Sequence, residues 1–395
     1  MCKIRYLLIY RFKADDGSEF PDWEEKTINE IAECLDNKRV PINSEERKKR
    51  IGIVPYYGAG GIQGYIDDYL FDEKIVLLLE DGDAFDDFQT KSIAQYVTGK
   101  SWINNHAHVL RANGDSYFLF ASLEHKDIRK WTQLAGASRK KLLKESMLKI
   151  TVNMPSLQEQ KKISDFLSNI DMIISNYTNT VKAWEERKKG IMWKLFSQEI
   201  RFKGDDESDF PEWEEKRLGE FCKTFSGGTP KSGETRYYEN GTIPFIRSGE
   251  IHDNKTELYI TKDGLNESSA KMVAAGDILY ALYGATSGEV DISKINGAIN
   301  QAILCIRTVD GFDSKFIVEI LRFNKEKILR TYLQGGQGNL SAQIIQNLCF
   351  YFPCFAEQQK IANCFSSLDN VIEKQKTVLT KWEELKKGLL QRMLV

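Results

Sequence analysis

The sequence has no run of about 18 consecutive apolar residues, so it offers no membrane-spanning helix. It has no C-x-x-C. Its seven cysteines, Cys2, Cys34, Cys222, Cys305, Cys349, Cys354 and Cys364, are odd in number and irregularly spaced. That pattern favours reduced thiols over a disulfide framework or a zinc site. Histidine is scarce, at four, and nothing around His106 and His108 has metal-ligand spacing. The chain also lacks an excess of charge of either sign: net charge is −2 and the pI about 6.2. A stand-alone nucleic-acid binder is usually basic. This balance leaves room only for local basic patches, or for a reader whose phosphate contacts come partly from partners. "RKKR" at Arg47 to Arg50 and "SRKK" at Ser138 to Lys141 are such patches, and "GYIDDYLFDE" and "EDGDAFDD" are acidic counterweights. The start, "MCKIRYLLIYRF", has a short apolar stretch without a small-residue cleavage site. A signal peptide is therefore not expected, and a cytoplasmic location is.

Catalytic motifs are missing too. "AQYVTGKS" approaches a phosphate-binding loop, but Ala94 stands where the cradle needs its first glycine. No G-x-G-x-x-G occurs. Without a P-P dipeptide there is no N/D-P-P-Y/F motif of adenine methyltransferases. No Ser/His/Asp or Cys/His arrangement stands out. The expected catalytic residues and metal ligands are none.

What is present is a repeat, and repeats organise a fold. "RFKADDGSEFPDWEEK" from Arg11 returns as "RFKGDDESDFPEWEEK" from Arg201. "MPSLQEQKKISDFLSNIDMIISNYTNTVKAWEERKKGIMWKLFS" from Met154 returns as "FPCFAEQQKIANCFSSLDNVIEKQKTVLTKWEELKKGLLQRMLV" from Phe352. Each half thus has a constant opening and a constant closing segment around a divergent middle. The closing segments carry apolar residues spaced by four and three: Ile163, Leu167, Ile170, Ile174, Val181 and Trp184, then Ile361, Phe365, Leu368, Ile372, Leu379 and Trp382. A 3.5-residue period predicts a coiled-coil seam. Lys188, Gln375 and Lys386 are polar slots in it. From Ile163 to Leu195 such a helix runs roughly 50 Å at about 1.5 Å per residue.

The middles read as mixed α/β. "EKIVLLLEDGD" and "AGDILYALYGAT" predict matching buried strands. "NNHAHVLRANG" parallels "INQAILCIRTVDG", with Asn105 opposite Asn300 and His106 opposite Gln301. "YFLFASLEHKDIRKWTQL" and "KFIVEILRFNKEKILRTYL" predict a helix after each. The carboxylates of "PDWEEK" crowd around one aromatic, and Asp22 becomes Glu212 in the second copy, which predicts a structural anchor. Asn and Gln suit bidentate contact with adenine, Arg and Lys with guanine. In the first middle the candidate base or phosphate contacts are Tyr56, Tyr57, Gln63, Lys100, Ser101, Asn104, Asn105, His106, Arg139 and Lys140. In the second they are Lys231, Arg236, Tyr237, Arg247, Ser248, Tyr283, Thr286, Asn300, Gln301, Gln337 and Asn339.

The duplicated W-E-E-K-x-L/I-x-E opening (Trp23 to Glu30, Trp213 to Glu220), "IPFIRSGEI", "GDILYALYGATSGE" and the P-x-x-x-E-Q-x-K-I helix start resemble the specificity subunits of type I restriction-modification systems. The resemblance spans essentially the whole chain. It implies two target recognition domains, within 1–153 and 201–352, separated by conserved helices at 154–200 and 353–395 that form an antiparallel coiled coil with pseudo-two-fold symmetry. Each domain is expected to read one half of a bipartite, asymmetric double-stranded DNA target. Two modification subunits and two restriction subunits are the implied partners. S-adenosylmethionine, ATP and Mg are expected on those partners and no cofactor on this chain. The first middle matches the family's loop patterns less well than the second. Two other classes compete. A coiled-coil adaptor explains the helices but not two recognition-like middles. A self-contained methyltransferase-nuclease needs a methyl-donor site that the sequence does not display.

Overall fold

The computed structural model describes residues 11–58, 60–135, 139–333 and 339–394. The opening ten residues, and with them Cys2 and any lead-in strand, lie outside the described residues. The chain divides into two compact units. Unit 1 falls within Met1–Asn179 and Lys376–Val395, and unit 2 within Thr180–Gln375. Each unit boundary falls inside one of two long helices, Leu157–Phe196 and Phe355–Met393.

Unit 1 opens with β1 (Glu24–Thr27), the "WEEK" strand. Its middle holds β2 (Ala32–Cys34), α1 (Ser44–Lys49), β3 (Val54–Gly58), β4 (Gly61–Ile66), β5 (Phe71–Asp72), β6 (Ile75–Leu79), β7 (Ala94–Val97), β8 (Lys100–Ile103) and β9 (Ala107–Ala112). There follow α2 (Ser116–Glu124), the hairpin β10 (Thr132–Ala135) and β11 (Arg139–Leu142), and β12 (Thr151–Met154). Two four-stranded sheets result, ordered β2-β9-β6-β7 and β4-β3-β8-β5. The pairing is antiparallel except between β3 and β8.

Strand β6 shows why the sheets stack. All five of its side chains are buried. Successive strand residues face opposite ways, so Val76 and Leu78 join Phe118, Leu123 and the long-helix residues Ile163, Leu167 and Ile170. Ile75 and Leu77 join Phe71, Val97, Ile103 and Val109 between the sheets. A strand covered on both faces reads as a continuous apolar run, which is what "IVLLL" is.

Unit 2 repeats this body. Its elements are β13 (Glu214–Arg217), β14 (Cys222–Ser226), β15 (Ile243–Ile246), β16 (Tyr259–Ile260), β17 (Lys271–Val273), β18 (Ile278–Ala281), β19 (Val290–Ile292), β20 (Gly297–Ile299), β21 (Ile303–Thr308), α3 (Ser314–Leu333) and β22 (Cys349–Phe352). The sheets are ordered β14-β21-β18-β19 and β16-β15-β20-β17, again with one parallel pair, β15 with β20. In β18, Ile278 and Tyr280 face the helical side while Leu279 and Ala281 face the second sheet.

The constant segments clasp each body shut. In unit 1, β1 pairs antiparallel with β12, Glu24 opposite Met154. In unit 2, β13 pairs with β22, Glu214 opposite Phe352. Behind each clasp a fully buried glutamate takes an arginine and a tryptophan. Arg11 donates to Glu159 at 3.1 and 2.8 Å, and Trp23 Nε1 donates to the same carboxylate at 3.0 Å. Arg201 donates to Glu357 at 3.2 and 2.8 Å, and Trp213 Nε1 at 3.2 Å. Asp22 and Glu212 are exposed, and each touches only the outer edge of its arginine. The anchor expected of "PDWEEK" is thus built by Trp and a distant Glu rather than by the motif's own carboxylates.

The seam stripe is buried or half-buried throughout. Its two lysine slots are ion triads. In unit 1 the Lys386 ammonium lies 2.8 Å from Asp171 and donates to Glu124 Oε1 at 3.0 Å. Oε2 of Glu124 is 2.9 Å from the same nitrogen but off the hydrogen-bond direction, an ion contact only. In unit 2, Lys188 reaches Asp369 at 2.8 and 2.9 Å and Glu319 at 3.3 Å. Within unit 2, Lys188 meets Asp369 and Phe196 stacks near Phe365, so the two helical segments run in opposite directions.

One expectation needs correction. The helix predicted over 117–134 stops at Glu124, and the chain turns into a 3-10 turn and β10. Asp127 hydrogen-bonds the Arg129 backbone and guanidinium there, offering the backbone a local alternative to helix. The second copy, without that aspartate, continues to Leu333. "AQYVTGKS" spans β7 and the turn that leads into β8 in the other sheet, with Gly99 at φ 71°. Six described cysteines are free. Burial pushes the thiols of Cys222 and Cys305 up to about 12, so they stay protonated.

Candidate nucleic-acid interface

The turn from β8 into β9 carries the chain from one sheet of unit 1 to the other. Asn104 is buried there, and its Oδ1 accepts from the His106 backbone N–H at 2.8 Å. Asn105 stands exposed at the tip. His106 Nδ1 lies 3.1 Å from Asp81. An open groove of about 450 Å³ runs beside this turn, lined by Asn43, Arg47, Gln63, Asn105 and His106 among others. Arg47, on α1, lies over the Tyr56 ring at 4.9 Å and donates to Gln63 Oε1 at 3.3 Å. Among the described residues it has no carboxylate partner. Asn43 caps α1 by accepting from Glu46 N–H at 2.8 Å, which fixes where Arg47 projects.

Not every expected contact faces solvent. Tyr56, Ser101, Asn104 and Tyr237 are buried. Tyr56 Oη bonds the Ile42 backbone, so that ring is core that the sequence motif does not distinguish from surface. Tyr57 is half-buried against the inter-sheet core. Lys100 lies over Tyr69 at 4.6 Å, and Lys140 pairs with Asp86. Arg139 is placed by its backbone in β11. The groove therefore gathers Gln63, Asn105 and His106 with the buried Tyr56 and Asn104 at its wall, leaves Tyr57, Lys100, Ser101, Arg139 and Lys140 outside its lining, and adds Arg47. Sequence reading had Arg47 only as part of a basic run. The asparagine cap and the short helix after it were the available signal.

In unit 2 the arginine forks are closed. Arg236 donates to Glu267 at 2.7 Å. Arg247 donates to Glu250 at 2.8 Å and to Glu257 at 2.7 Å. Burial alone would raise the Glu250 carboxyl, but Arg247 and the backbone N–H groups of Glu257 and Arg247 hold it down at about 2. Lys231, Gln301 and Asn339 are exposed, and Ser248, Tyr283, Thr286 and Asn300 are half-buried. Gln337 lies outside the described residues. Thr229, not expected from sequence, donates to Gln301 Oε1 at 2.7 Å.

The match to known families decides what these surfaces belong to. The family model described as type I restriction modification DNA specificity domain matches twice, over 21–183 and 211–381. The chain belongs to that family. Each match runs from the clasp strand through the body into the long helix. A type I restriction enzyme specificity subunit of Methanocaldococcus jannaschii, MjaVIII, is 25% identical over 97% of this chain and 95% of that protein. A putative specificity subunit of Haemophilus influenzae is 29% identical over 68% of this chain and 67% of its own. Among solved structures, the S subunit of a Mycoplasma genitalium (M. genitalium) type-I system shares the fold at TM-score 0.66 and 14% identity, covering 95% and 96% of the two chains. Among the described residues no helix is long and apolar enough to cross a membrane.

Unit 2 carries one titrating contact beside its specificity body. His252 Nδ1 lies 2.9 Å from Asp291, and Nε2 3.3 Å from Glu289. The Asp291 hydrogen bond raises the imidazole above its usual value, burial opposes, Glu289 adds to the rise and Arg322 subtracts. A histidine raised in the folded state contributes stability fully below its unfolded value of about 6.5 and loses it as pH rises through the folded value. His252→Gln is expected to flatten the fall in unit 2 stability from about pH 6.5 upward, read as melting midpoint against pH. A profile that keeps the wild-type slope refutes the assignment.

Proposed function

We propose that this chain is the non-catalytic DNA-reading subunit of a type I restriction-modification complex, with unit 1 reading one half and unit 2 the other half of a bipartite, asymmetric target. One observation carries the reading: the same two-sheet body is built twice from diverged middles, inside one conserved frame. A duplicated frame needs no divergence to hold two helices, but it needs divergence to read two different sequences. Partners take the remaining roles. Two modification subunits binding S-adenosylmethionine methylate adenine, and two restriction subunits use ATP and Mg. Those subunits also supply part of the phosphate clamp, which suits a chain of net charge −2. Its place of work is the cytoplasm.

Methylome sequencing of cells carrying the intact system tests this directly. The expected result is a two-part motif with a fixed gap. A modification pattern with a single undivided motif, or none, overturns it. Inserting one heptad in both long helices at matched positions is expected to change the gap and leave both half-site sequences as they were. A changed half-site sequence sinks the spacer role of the helices.

A further inference from the structure

The strand-switch turn occurs once in each unit, and its register is fixed by pairing on both sides. In unit 1, Tyr57 pairs with Ile103 before the turn and Leu79 with Ala107 after it. In unit 2, Ile246 pairs with Ile299 before the turn and Ala281 with Ile303 after it. Residues 104–106 and 300–302 are therefore the same three positions. Asn104 corresponds to Asn300, and Asn105 to Gln301. The sequence alignment, which set Asn105 against Asn300 and His106 against Gln301, was out by one residue.

The corrected register is confirmed by chemistry. In both turns the first amide oxygen accepts from the backbone N–H two residues on: Asn104 from His106 at 2.8 Å, Asn300 from Ala302 at 3.0 Å. This local bond holds the turn. In both turns the next residue is exposed, and in both it is a side-chain amide. The tip sits between a parallel-paired strand of one sheet and an interior strand of the other, so its backbone is held from two sides.

We infer that Asn105 and Gln301 are equivalent reading positions, each contacting an adenine in the half-site of its own unit. The inference rests on the two-half-site reading above. A carboxamide presents one acceptor and one donor side by side, and adenine presents N6–H and N7 in the major groove with the complementary order. Asn104 and Asn300 are positioning residues: their side-chain oxygens hold the turn, and Asn104 is buried. Gln301 is oriented further. Thr229 occupies one lone pair of Oε1, leaving the second lone pair and the Nε2 donors for a base. The neighbours differ between units. Asn105 shares its groove with Arg47 and Gln63, whereas Gln301 has Thr229. The same reading position therefore sits in two different flanking contexts, as two unlike half-sites require.

The test uses the complete complex, with methylation of a degenerate duplex library read by sequencing, for wild type, Asn105→Ala, Gln301→Ala and Gln301→Glu. Each alanine variant is expected to lose about ten-fold or more discrimination at one adenine of one half-site, in different half-sites for the two variants. Gln301→Glu is expected to shift that position toward cytosine, whose N4 amine a carboxylate accepts. Both tips are exposed, and matching melting midpoints will show that the variants fold. Unchanged motifs in all variants overturn the inference while the wild-type bipartite motif keeps the broader reading intact. Relaxation at a guanine or cytosine position instead overturns the adenine assignment. A wild type without a two-part motif removes both.

Discussion

Lys386→Ala is expected to destabilise unit 1 by about 3–5 kcal/mol, the usual cost of leaving buried charge without its partner. The lysine side chain is only 12% exposed, and its ammonium is the shared counter-ion of Glu124 and Asp171. Asp171 also accepts from the Tyr117 hydroxyl, so removing the lysine leaves it held beside the largely buried Glu124 carboxylate. Lys188→Ala should act alike on unit 2 through Glu319 and Asp369. Urea titration monitored by tryptophan fluorescence gives the magnitude. Lys386→Met with Glu124→Gln and Asp171→Asn should recover most of the loss, because the triple variant buries no charge. Burial pulls the Lys386 pKa down, but Glu124 and Asp171 more than reverse it, and the net shift is upward. The sign follows: its contribution is complete below the ordinary lysine value of about 10.4 and is lost as pH rises through the higher folded value. Wild type should therefore lose an alkaline-sensitive share of stability that the triple variant lacks. Equal alkaline profiles, or a loss under about 1 kcal/mol for Lys386→Ala, would show that the triad is a surface-like pair.

Glu357→Ala is the second large effect, again about 3–5 kcal/mol, with Glu159→Ala its counterpart in unit 1. Each carboxylate is fully buried and receives an arginine fork and an indole N–H. Its loss strands a guanidinium beneath the clasp strand and leaves Trp23 or Trp213 without its acceptor. Glu357→Gln keeps one acceptor and should cost less, about 1.5–3 kcal/mol. Asp22→Ala and Glu212→Ala, on the exposed side of the same arginines, should change nothing measurable. If the exposed carboxylates mattered as much as the buried ones, the clasp would be an electrostatic surface feature and not an anchor.

Much of this was legible in the sequence where a pattern is local or repeated. The duplicated frame, the four-and-three stripe and the apolar run of β6 each map directly onto an element. The polar slots Lys188 and Lys386 read as interruptions because their partners are remote. The second carboxylate is not even at matching positions. Phe118 and Phe316 each pack edge-on to their tryptophan, which aligns α2 with α3 and puts Glu319 opposite Ala121 and Glu124 opposite Arg322. The two triads thus take that carboxylate from neighbouring helical turns. The reading positions were misaligned because "INNHA" and "INQAI" offer two asparagines in a row on one side. Only the hydrogen bond to the residue two on decides which asparagine holds the turn. Arg47 was hidden for a different reason: a basic run does not say which of its members lacks a carboxylate.

Leu390 and Met393 belong to the core of unit 1, packed with residues such as Phe118 and Ile163. The ribosome makes them after the whole of unit 2. The first-synthesised body therefore emerges with a face of its core uncovered and stays so until Leu390 and Met393 leave the exit tunnel. Domains generally fold as units, N-terminal first, during synthesis. Here the N-terminal unit can be finished only after all of unit 2 has been made. A stop before Leu390 would damage the beginning of the protein, and aggregation of such a product would start from unit 1, although unit 2 had been made in full.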